Sequence, residues 1–174
     1  YFKGTLVGTP MFNTILLLIG TFLSSFMGTT GSAMLLIRPL LKANEKRKYK
    51  THIFIFFIFL IANIGGCLTP IGDPPLFLGF LNGVPFLWTL RLFLPLLFVS
   101  TILLVLFFII DYKFFKKENL YPILKKLTKK KRESIRVYGL NNFLLLILIV
   151  LSVIFSGYVK LGELNVLSIN INFQ

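Results

Sequence analysis

The fold is decided by the stretch Asn63-Ile64-Gly65-Gly66-Cys67-Leu68-Thr69-Pro70-Ile71-Gly72-Asp73-Pro74-Pro75, which interrupts the apolar sequence 52–81. Residues 65–75 contain three glycines and three prolines, a composition that cannot continue an α-helix. Within a bilayer, unwound backbone is tolerated only where it is buried in protein or lines a polar cavity. In such breaks, carbonyl groups can coordinate a cation and the next helix N-terminus can attract an anion. The stretch therefore predicts a broken transmembrane helix with ligand groups at its break.

The composition excludes an ordinary soluble domain. Of the residues, 56% are hydrophobic and 20 are Phe, and the mean hydropathy is +0.84, which is typical of membrane proteins. The net charge is +13, but 15 of the 19 Lys and Arg lie in the stretches 42–50 and 113–136. Apolar segments separate these two stretches, so the positive-inside rule explains the charge without a nucleic-acid partner. The single Cys67 excludes an intrachain disulfide and a zinc cluster.

Before the break, residues 11–41 predict a re-entrant helical hairpin. The apolar run 11–27 is followed by the small, hydroxyl-rich turn 28–32 and by the apolar run 33–41. The second run has nine residues, which rise only about 13 Å as a helix and cannot cross a bilayer. The chain should therefore enter the membrane, turn, and return to the same side.

The remaining segments complete a predicted topology of an all-α, polytopic membrane protein. A repeat core over 1–111 holds the hairpin 11–41, the broken helix 52–81 and a helix over 86–110. A basic cytoplasmic linker over 112–140, a transmembrane helix over 141–158 and a truncated tail over 159–174 follow. Two crossings then join the two basic loops, which places both loops on one side, as the positive-inside rule requires. The missing start methionine and the end at Gln174 indicate a fragment of a longer chain.

Two motifs in this core resemble those of the ion transporter superfamily. Gly28-Thr29-Thr30-Gly31-Ser32-Ala33 is similar to its hairpin-tip motif, and residues 63–75 are similar to its broken-helix motif. The superfamily includes NhaD-type sodium:proton antiporters, citrate and dicarboxylate transporters and arsenite permeases. In the dicarboxylate branch, a small hydroxyl residue usually stands where this chain has Asp73, and an Asn often stands where it has Leu76. The antiporter and citrate-transporter-like group therefore resembles this chain more closely.

The resemblance implies one half of an inverted-repeat transporter that works by alternating access. It also implies a protein of about twice this length, often a homodimer, in the bacterial inner (plasma) membrane. Asp73 favours sodium (or lithium):proton antiport, with the lipid bilayer, sodium and protons as partners. A sodium- or proton-coupled carrier of citrate, another carboxylate or arsenite is the alternative, and an essential Arg38 facing the cavity would favour it. A non-transporting membrane scaffold is the alternative from another class.

Asp73 is the candidate for the carboxylate shared by both ions. Burial favours its neutral, protonated form, and a bound cation favours its charged form, so the two ions compete for one group. The other interpretation, compatible with the first, is that Asp73 caps the helix that begins at Pro74-Pro75.

The other predicted ion ligands are oxygen-bearing or small residues of the two motifs: Gly65, Gly66, Thr69, Gly72, Asn63, Thr29, Thr30 and Ser32. Each also has a structural interpretation, because small residues permit close helix packing and hydroxyl groups can bond to their own turn. His52 is either a pH sensor or a plain boundary residue. A lone His, a lone Cys and the lack of a carboxylate pair leave no catalytic group or transition-metal site. We therefore expect no enzymatic activity and no cofactor beyond the transported sodium and protons.

Overall fold

The computed structural model describes residues 2–3, 8–118, 136–137, 144–145, 147–148, 151–152, 155, 163–166 and 169–172. Residues 8–118 form a helical unit, and the predicted all-α class is confirmed. Its helices are α1 (Pro10–Met27), α2 (Thr29–Ala43), α3 (Thr51–Phe57), α4 (Pro74–Leu81) and α5 (Phe93–Lys117). A π-helical segment (Ile58–Asn63) and two 3-10 segments (Ile64–Leu68 and Phe86–Leu92) lie between them.

The predicted hairpin is present, but it turns on a single residue. Thr9 caps α1 by accepting a hydrogen bond from Phe12 N at 3.2 Å, and α1 ends at Gly28. Gly28 has φ of 80°, which glycine adopts without steric cost, so α2 can begin at the next residue. The predicted turn over 28–32 is therefore too long, and Thr29, Thr30 and Ser32 belong to the first turn of α2. With 15 residues, α2 rises about 22 Å, short of the roughly 30 Å hydrocarbon core.

The predicted break at 65–75 is also shorter than expected. Helical backbone continues from α3 through the π-helical segment and the 3-10 segment as far as Leu68, and α4 begins at Pro74. The two prolines occupy the first helical positions, where their missing N–H groups have no intrahelical partner to lose. Between α3 and α4, residues 69–73 alone lack helical structure. The glycines at 65 and 66 thus lie in a tight helical turn just before the break.

The last described helix extends beyond its predicted end at Ile110. α5 continues for seven more residues, to Lys117. Phe107, Asp111 and Phe115 are buried at four-residue spacing, which keeps them on one helix face. Lys116 and Lys117 lie in the last turn, where cations favour the negative end of the helix dipole. Asp111 therefore lies inside a helix, and residues 112–117 of the predicted linker belong to the same helix.

The centre of the unit is an apolar cluster contributed by α1, α2, α3, the π-helical segment and α5. Its most buried members are Leu17, Leu40, Ile53, Leu60, Ile61 and Phe107. Large apolar side chains such as Leu94 and Phe98 of α5 are exposed, at 74% and 68%. Among the described residues, three helical stretches are long and apolar enough to cross a membrane: Pro10–Met27, Thr51–Leu68 and Phe86–Lys117. The described residues are thus those of a multi-pass membrane protein.

The described residues after 118 are few. Four short strands are described near the two ends of the chain. β1 (Phe2–Lys3) pairs with β2 (Arg136–Val137) of the predicted linker, and β3 (Glu163–Val166) pairs with β4 (Ile169–Asn172) in the predicted tail, both antiparallel. Within the predicted helix over 141–158, the residues described are helical, and the rest of that prediction lies outside the described residues, as does the linker over 119–135.

Gly65 provides a test of the close packing between α1 and the 3-10 segment. A Cβ atom there would lie 2.6 Å from Thr21 O and 2.8 Å from Leu60 O, and backbone atoms cannot move aside as side chains do. We expect Gly65→Ala to reduce the free energy of unfolding by about 1–3 kcal/mol, the usual cost of overpacking. The measurement is thermal unfolding of the purified protein in detergent.

The matched control is Gly79→Ala in α4. A Cβ atom at Gly79 would meet only Val84 Cγ2, at 3.8 Å, an ordinary contact. Because alanine is a better helix former than glycine, this variant should be as stable as the wild type or slightly more so. Equal destabilisation of the two variants would contradict the packing described here.

Candidate binding site at the helix break

The break touches the tip of the hairpin, as the sequence predicted. Thr29 N donates a hydrogen bond to Gly72 O at 3.1 Å, and Gly72 N donates to Thr69 O at 3.0 Å. The two backbones approach so closely that a Cβ atom on Gly66 would lie 2.7 Å from Gly72 O and from Thr29 Cγ2. The first turn of α2, the 3-10 segment and the break therefore form one contiguous group of residues.

Hydroxyl side chains hold the broken helix against its neighbours. Ser24 Oγ donates to Ile61 O at 2.8 Å, and Ser25 Oγ donates to Gly65 O at 2.5 Å. Thr69 Oγ1 in turn donates to Ser25 O. These bonds supply partners to buried carbonyl groups that an irregular helix leaves unpaired, which is costly in a low dielectric. We name Ser24, Ser25 and Thr69 the hydroxyl clamp.

A further hydroxyl group secures the end of the 3-10 segment. Thr89 Oγ1 donates to Leu68 O at 2.8 Å, and Thr89 is buried. Because Thr89 lies in the 3-10 segment before α5, this bond ties the break to the last described helix. The carbonyl groups of Ile61, Gly65 and Leu68 all accept side-chain hydrogen bonds, so these oxygens are engaged in holding the fold.

Polar groups without a hydrogen-bond partner among the described residues lie at the N-terminus of α2. Gly28 caps this helix without a side-chain hydrogen bond. Ser32 N bonds to Gly28 O, and the N–H groups of Thr30 and Gly31 have no acceptor among the described residues. The Ser32 side chain is fully buried and its hydroxyl has no partner within the described part of the chain. A helix N-terminus with free N–H groups attracts anions, and a buried, unpartnered hydroxyl costs free energy that a ligand would recover.

Asp73 lies next to this N-terminus, directly after Gly72. It is half-buried, and its side chain makes no hydrogen bond or ion pair with the residues that the structure describes. Its backbone occupies the N-cap position of α4, and its carbonyl accepts hydrogen bonds from Leu76 N and Phe77 N at 3.0 and 3.2 Å. The capping interpretation therefore holds for the backbone only. The carboxylate stays available for a cation.

The structure brings together most of the predicted ligands, but in different roles. The oxygens without a partner among the described residues are the carboxylate of Asp73 and the hydroxyls of Thr29, Thr30 and Ser32. Those of Gly65, Thr69 and Gly72 are engaged in hydrogen bonds with the hairpin or within the break, and Gly66 serves the close backbone approach. Asn63 is exposed at the junction of the π-helical and 3-10 segments. Arg38 is exposed on α2, about 14 Å along the helix from Thr29.

A second polar cluster, which the sequence did not predict, lies at the other end of α1 and α2. Asp111 of α5 is fully buried. Its Oδ1 atom accepts from Arg47 Nη1 at 2.5 Å and from His52 Nε2 at 2.8 Å, and its Oδ2 atom accepts from Asn13 Nδ2 at 3.1 Å. Asn13 and Asn44 exchange two hydrogen bonds of 3.0 and 2.8 Å.

This cluster joins α1, α2, α3, α5 and the basic loop after α2. Arg47 Nε also pairs with Glu118 at 3.3 Å, and Glu118 accepts from Tyr49 N at 2.5 Å. We name Asn13, Asn44, Arg47, His52, Asp111 and Glu118 the Asp111 cluster. The residue spacing along α5 could have indicated that Asp111 is buried, because Ser100, Leu104, Phe107, Asp111 and Phe115 follow one face at spacings of four and three residues. The sequence interpretation ended the helix at Ile110 and so missed this pattern.

The comparisons with known proteins give one result. A family model named CitMHS_2, with the description "Putative citrate transport", matches residues 1–174. No curated protein and no solved structure was found to match the chain. The match supports the resemblance at the level of a transporter superfamily, and its description agrees with the citrate alternative better than with sodium:proton antiport.

Two aspartates allow a test of which polar group stabilises the fold. Asp111→Asn removes the charge that pairs with buried Arg47, and breaking a buried ion pair costs about 3–5 kcal/mol. Asp73→Asn makes the same chemical change at a carboxylate without a described partner, so we expect little change in stability. Thermal unfolding in detergent measures both. A more severe loss in Asp73→Asn than in Asp111→Asn would contradict the structural role of the Asp111 cluster.

Proposed function

Since the chain belongs to the CitMHS_2 family, we propose that it transports citrate or a related carboxylate across a membrane, coupled to a cation. The observation that carries this proposal is the N-terminus of α2 at the helix break. The first turn of this 15-residue helix contains a buried hydroxyl and two N–H groups that have no partner among the described residues. Oxygen anions are the ligands that such groups bind.

We infer that a substrate carboxylate occupies this N-terminus. The N–H groups of Thr30 and Gly31 and the hydroxyls of Thr29, Thr30 and Ser32 would donate to its oxygens. The positive end of the helix dipole would add attraction. In this proposal the substrate carboxylate binds at the tip of the α1–α2 hairpin and not at Arg38. Arg38 is exposed and lies far along α2 from that tip.

Asp73 supplies the coupling in this proposal. Two negative charges that lie close together at a protein site repel each other by about a few kcal/mol. An ionised Asp73 beside the tip would therefore oppose a substrate carboxylate. A cation or a proton bound at Asp73 removes this repulsion, so substrate and cation would bind together, and substrate would bind weakly alone. A carboxylate accepts either sodium or a proton, and the choice between them is part of the test.

Sodium:proton antiport remains a competing function for the same Asp73. It needs the carboxylate but not the α2 N-terminus, and the free donors there would then have no ligand. Homodimer formation and a location in the bacterial inner membrane stay predictions from the resemblance. Enzymatic activity is not part of the proposal, and neither is a cofactor.

Citrate transport can be measured with the full-length protein in proteoliposomes. We expect uptake of labelled citrate that a gradient of sodium or of protons drives, because the proposed binding of substrate requires neutralisation of Asp73. Collapse of a pH gradient by sodium without citrate would support antiport and contradict the proposal. The absence of flux for every ion and carboxylate tested would support the scaffold alternative.

The role of the α2 N-terminus is tested by Ser32→Ala. Removal of one hydroxyl that bonds to a carboxylate should weaken binding by about 1–2 kcal/mol, or five- to thirtyfold in KM. Ser100→Ala in α5 is the matched control, because its buried hydroxyl bonds to Leu97 O of its own helix at 3.3 Å. Equal KM values for the two variants would rule out a substrate contact at Ser32.

The coupling role is tested by Asp73→Asn in the same assay. Because asparagine carries no charge, the repulsion that a cation relieves is absent, and citrate uptake should no longer respond to the sodium or proton gradient. We expect this loss of response without a loss of folded protein. A variant that responds to the gradients as the wild type does would show that Asp73 is not the coupling group.

A further inference from the structure

The end of the helical unit that carries the basic loop presents lysines from two distant parts of the sequence. Tyr49 in the loop after α2 stacks on Phe114 of α5, with 5.5 Å between the ring centroids. Arg47 of the same loop pairs with Glu118, directly after α5. These contacts bring the loop against the last turn of α5. The exposed lysines at this end of the unit are Lys42, Lys46, Lys48, Lys113, Lys116 and Lys117.

Two of these lysines contact one aromatic ring. The ammonium groups of Lys48 and Lys117 lie 5.8 and 5.4 Å from the centroid of the Tyr49 ring. The ring attracts each cation, but two like charges that are held on one ring repel each other. An anion beside the ring would relieve this repulsion and would accept hydrogen bonds from both ammonium groups.

The Tyr49 ring is held in place by contacts within the protein. The backbone N–H of Tyr49 donates to Glu118 Oε1 at 2.5 Å, and the ring stacks on Phe114. Arg47, which precedes Lys48 in the loop, is buried. The Tyr49 hydroxyl has no hydrogen-bond partner among the described residues, so it is free to donate to a ligand. A site that is already arranged loses less conformational entropy when it binds.

The carboxylates near this surface leave its positive charge largely uncompensated. The Glu118 side chain is 4% exposed, and it is already bonded to Arg47 and to the backbone of Tyr49. Within the described ranges 42–50 and 113–118, Glu45 is the one exposed acidic residue. One exposed carboxylate therefore stands against six exposed lysines, and the surface attracts anions.

The position of this surface along α5 is that of lipid headgroups. Residues 93–110 contain no charged side chain, and these 18 residues rise about 27 Å, close to the thickness of a hydrocarbon core. Tyr112 lies just beyond them and is 52% exposed, and tyrosine is enriched at the membrane surface. The lysines that follow are therefore at the boundary between hydrocarbon and water.

We propose that Lys48, Lys117 and the hydroxyl of Tyr49 bind the phosphate headgroup of an anionic lipid. The two ammonium groups and the hydroxyl donate to its phosphate oxygens, and the acyl chains lie along the apolar face of α5. Because the site combines the loop after α2 with the end of α5, a bound lipid connects the base of the α1–α2 hairpin to that helix. This inference concerns the membrane, and it does not depend on which substrate the protein transports.

The experiment measures lipid binding to the full-length protein in an uncharged detergent. Short-chain phosphatidylglycerol is titrated into the protein and binding is followed by isothermal titration calorimetry, with phosphatidylcholine and inorganic phosphate titrated separately. We expect saturable binding of phosphatidylglycerol and weaker binding of the other two, because one lacks net negative charge and the other lacks acyl chains. Binding of phosphatidylcholine or of inorganic phosphate as tight as that of phosphatidylglycerol would overturn the proposal.

The double variant Lys48→Gln, Lys117→Gln tests the two lysines. A basic residue near anionic headgroups contributes about fivefold in affinity, so the pair should weaken phosphatidylglycerol binding about thirtyfold. The matched control is Lys46→Gln, Lys113→Gln, which removes the same charge from the same loop and helix but no described contact with the Tyr49 ring. All four lysines are exposed, so both variants should fold. An equal loss of affinity in the two variants would overturn the proposal, because general charge alone would then explain the binding.

The hydroxyl is tested by Tyr49→Phe, which keeps the ring and its stack on Phe114. Loss of a hydrogen bond to a charged phosphate should weaken phosphatidylglycerol binding about tenfold. An affinity equal to that of the wild type would overturn the assignment of Tyr49 and, with it, the site.

Discussion

The described structure depends on hydrogen bonds from the hydroxyl clamp of Ser24, Ser25 and Thr69 to backbone carbonyls. A helix that is interrupted by glycine and proline has carbonyl groups without intrahelical partners, and no water in a hydrocarbon core can replace them. The clamp supplies donors for Ile61 O and Gly65 O of the broken helix and for Ser25 O near the end of α1. Without these donors, the break could exist only where water reached it. The clamp therefore holds the irregular backbone of the broken helix against α1.

Much of the fold could be predicted, because glycine, proline and apolar runs act locally. The broken helix, the hairpin and the all-α class follow from the positions of residues 28, 65–75 and the apolar segments between them. The first and last residues of these elements could not be predicted, since they depend on local geometry that composition does not specify. One residue in the left-handed region at Gly28 sufficed for a turn, and the 3-10 segment accommodated two glycines as far as Leu68.

The candidate site was predictable in its location but not in the roles of its residues. Asp73, Thr29 and Gly72 were expected near each other, and they are. Which oxygens are free depends on side chains from α1, because Ser25 occupies the carbonyl of Gly65 that the sequence offered as a ligand. The Asp111 cluster depends on contacts between residues up to 98 positions apart, so the spacing of residues along α5 can mark Asp111 as buried but cannot identify its partners. The two polar regions differ physically: the Asp111 cluster satisfies its groups internally, as a stabilising network does, whereas the α2 N-terminus leaves donors open.

The position of the hydroxyl clamp within the chain also bears on the order of assembly. Ser24 and Ser25 precede the glycine–proline segment by about 40 residues, so they leave the ribosome before it. At typical rates of synthesis of about 5–20 residues per second, the hairpin exists for a few seconds before the break is complete. The break can therefore dock on donors that are already in place, and its carbonyl groups need not face lipid alone. A circular permutation that placed the hairpin after the break would reverse this order and expose the discontinuity during membrane insertion.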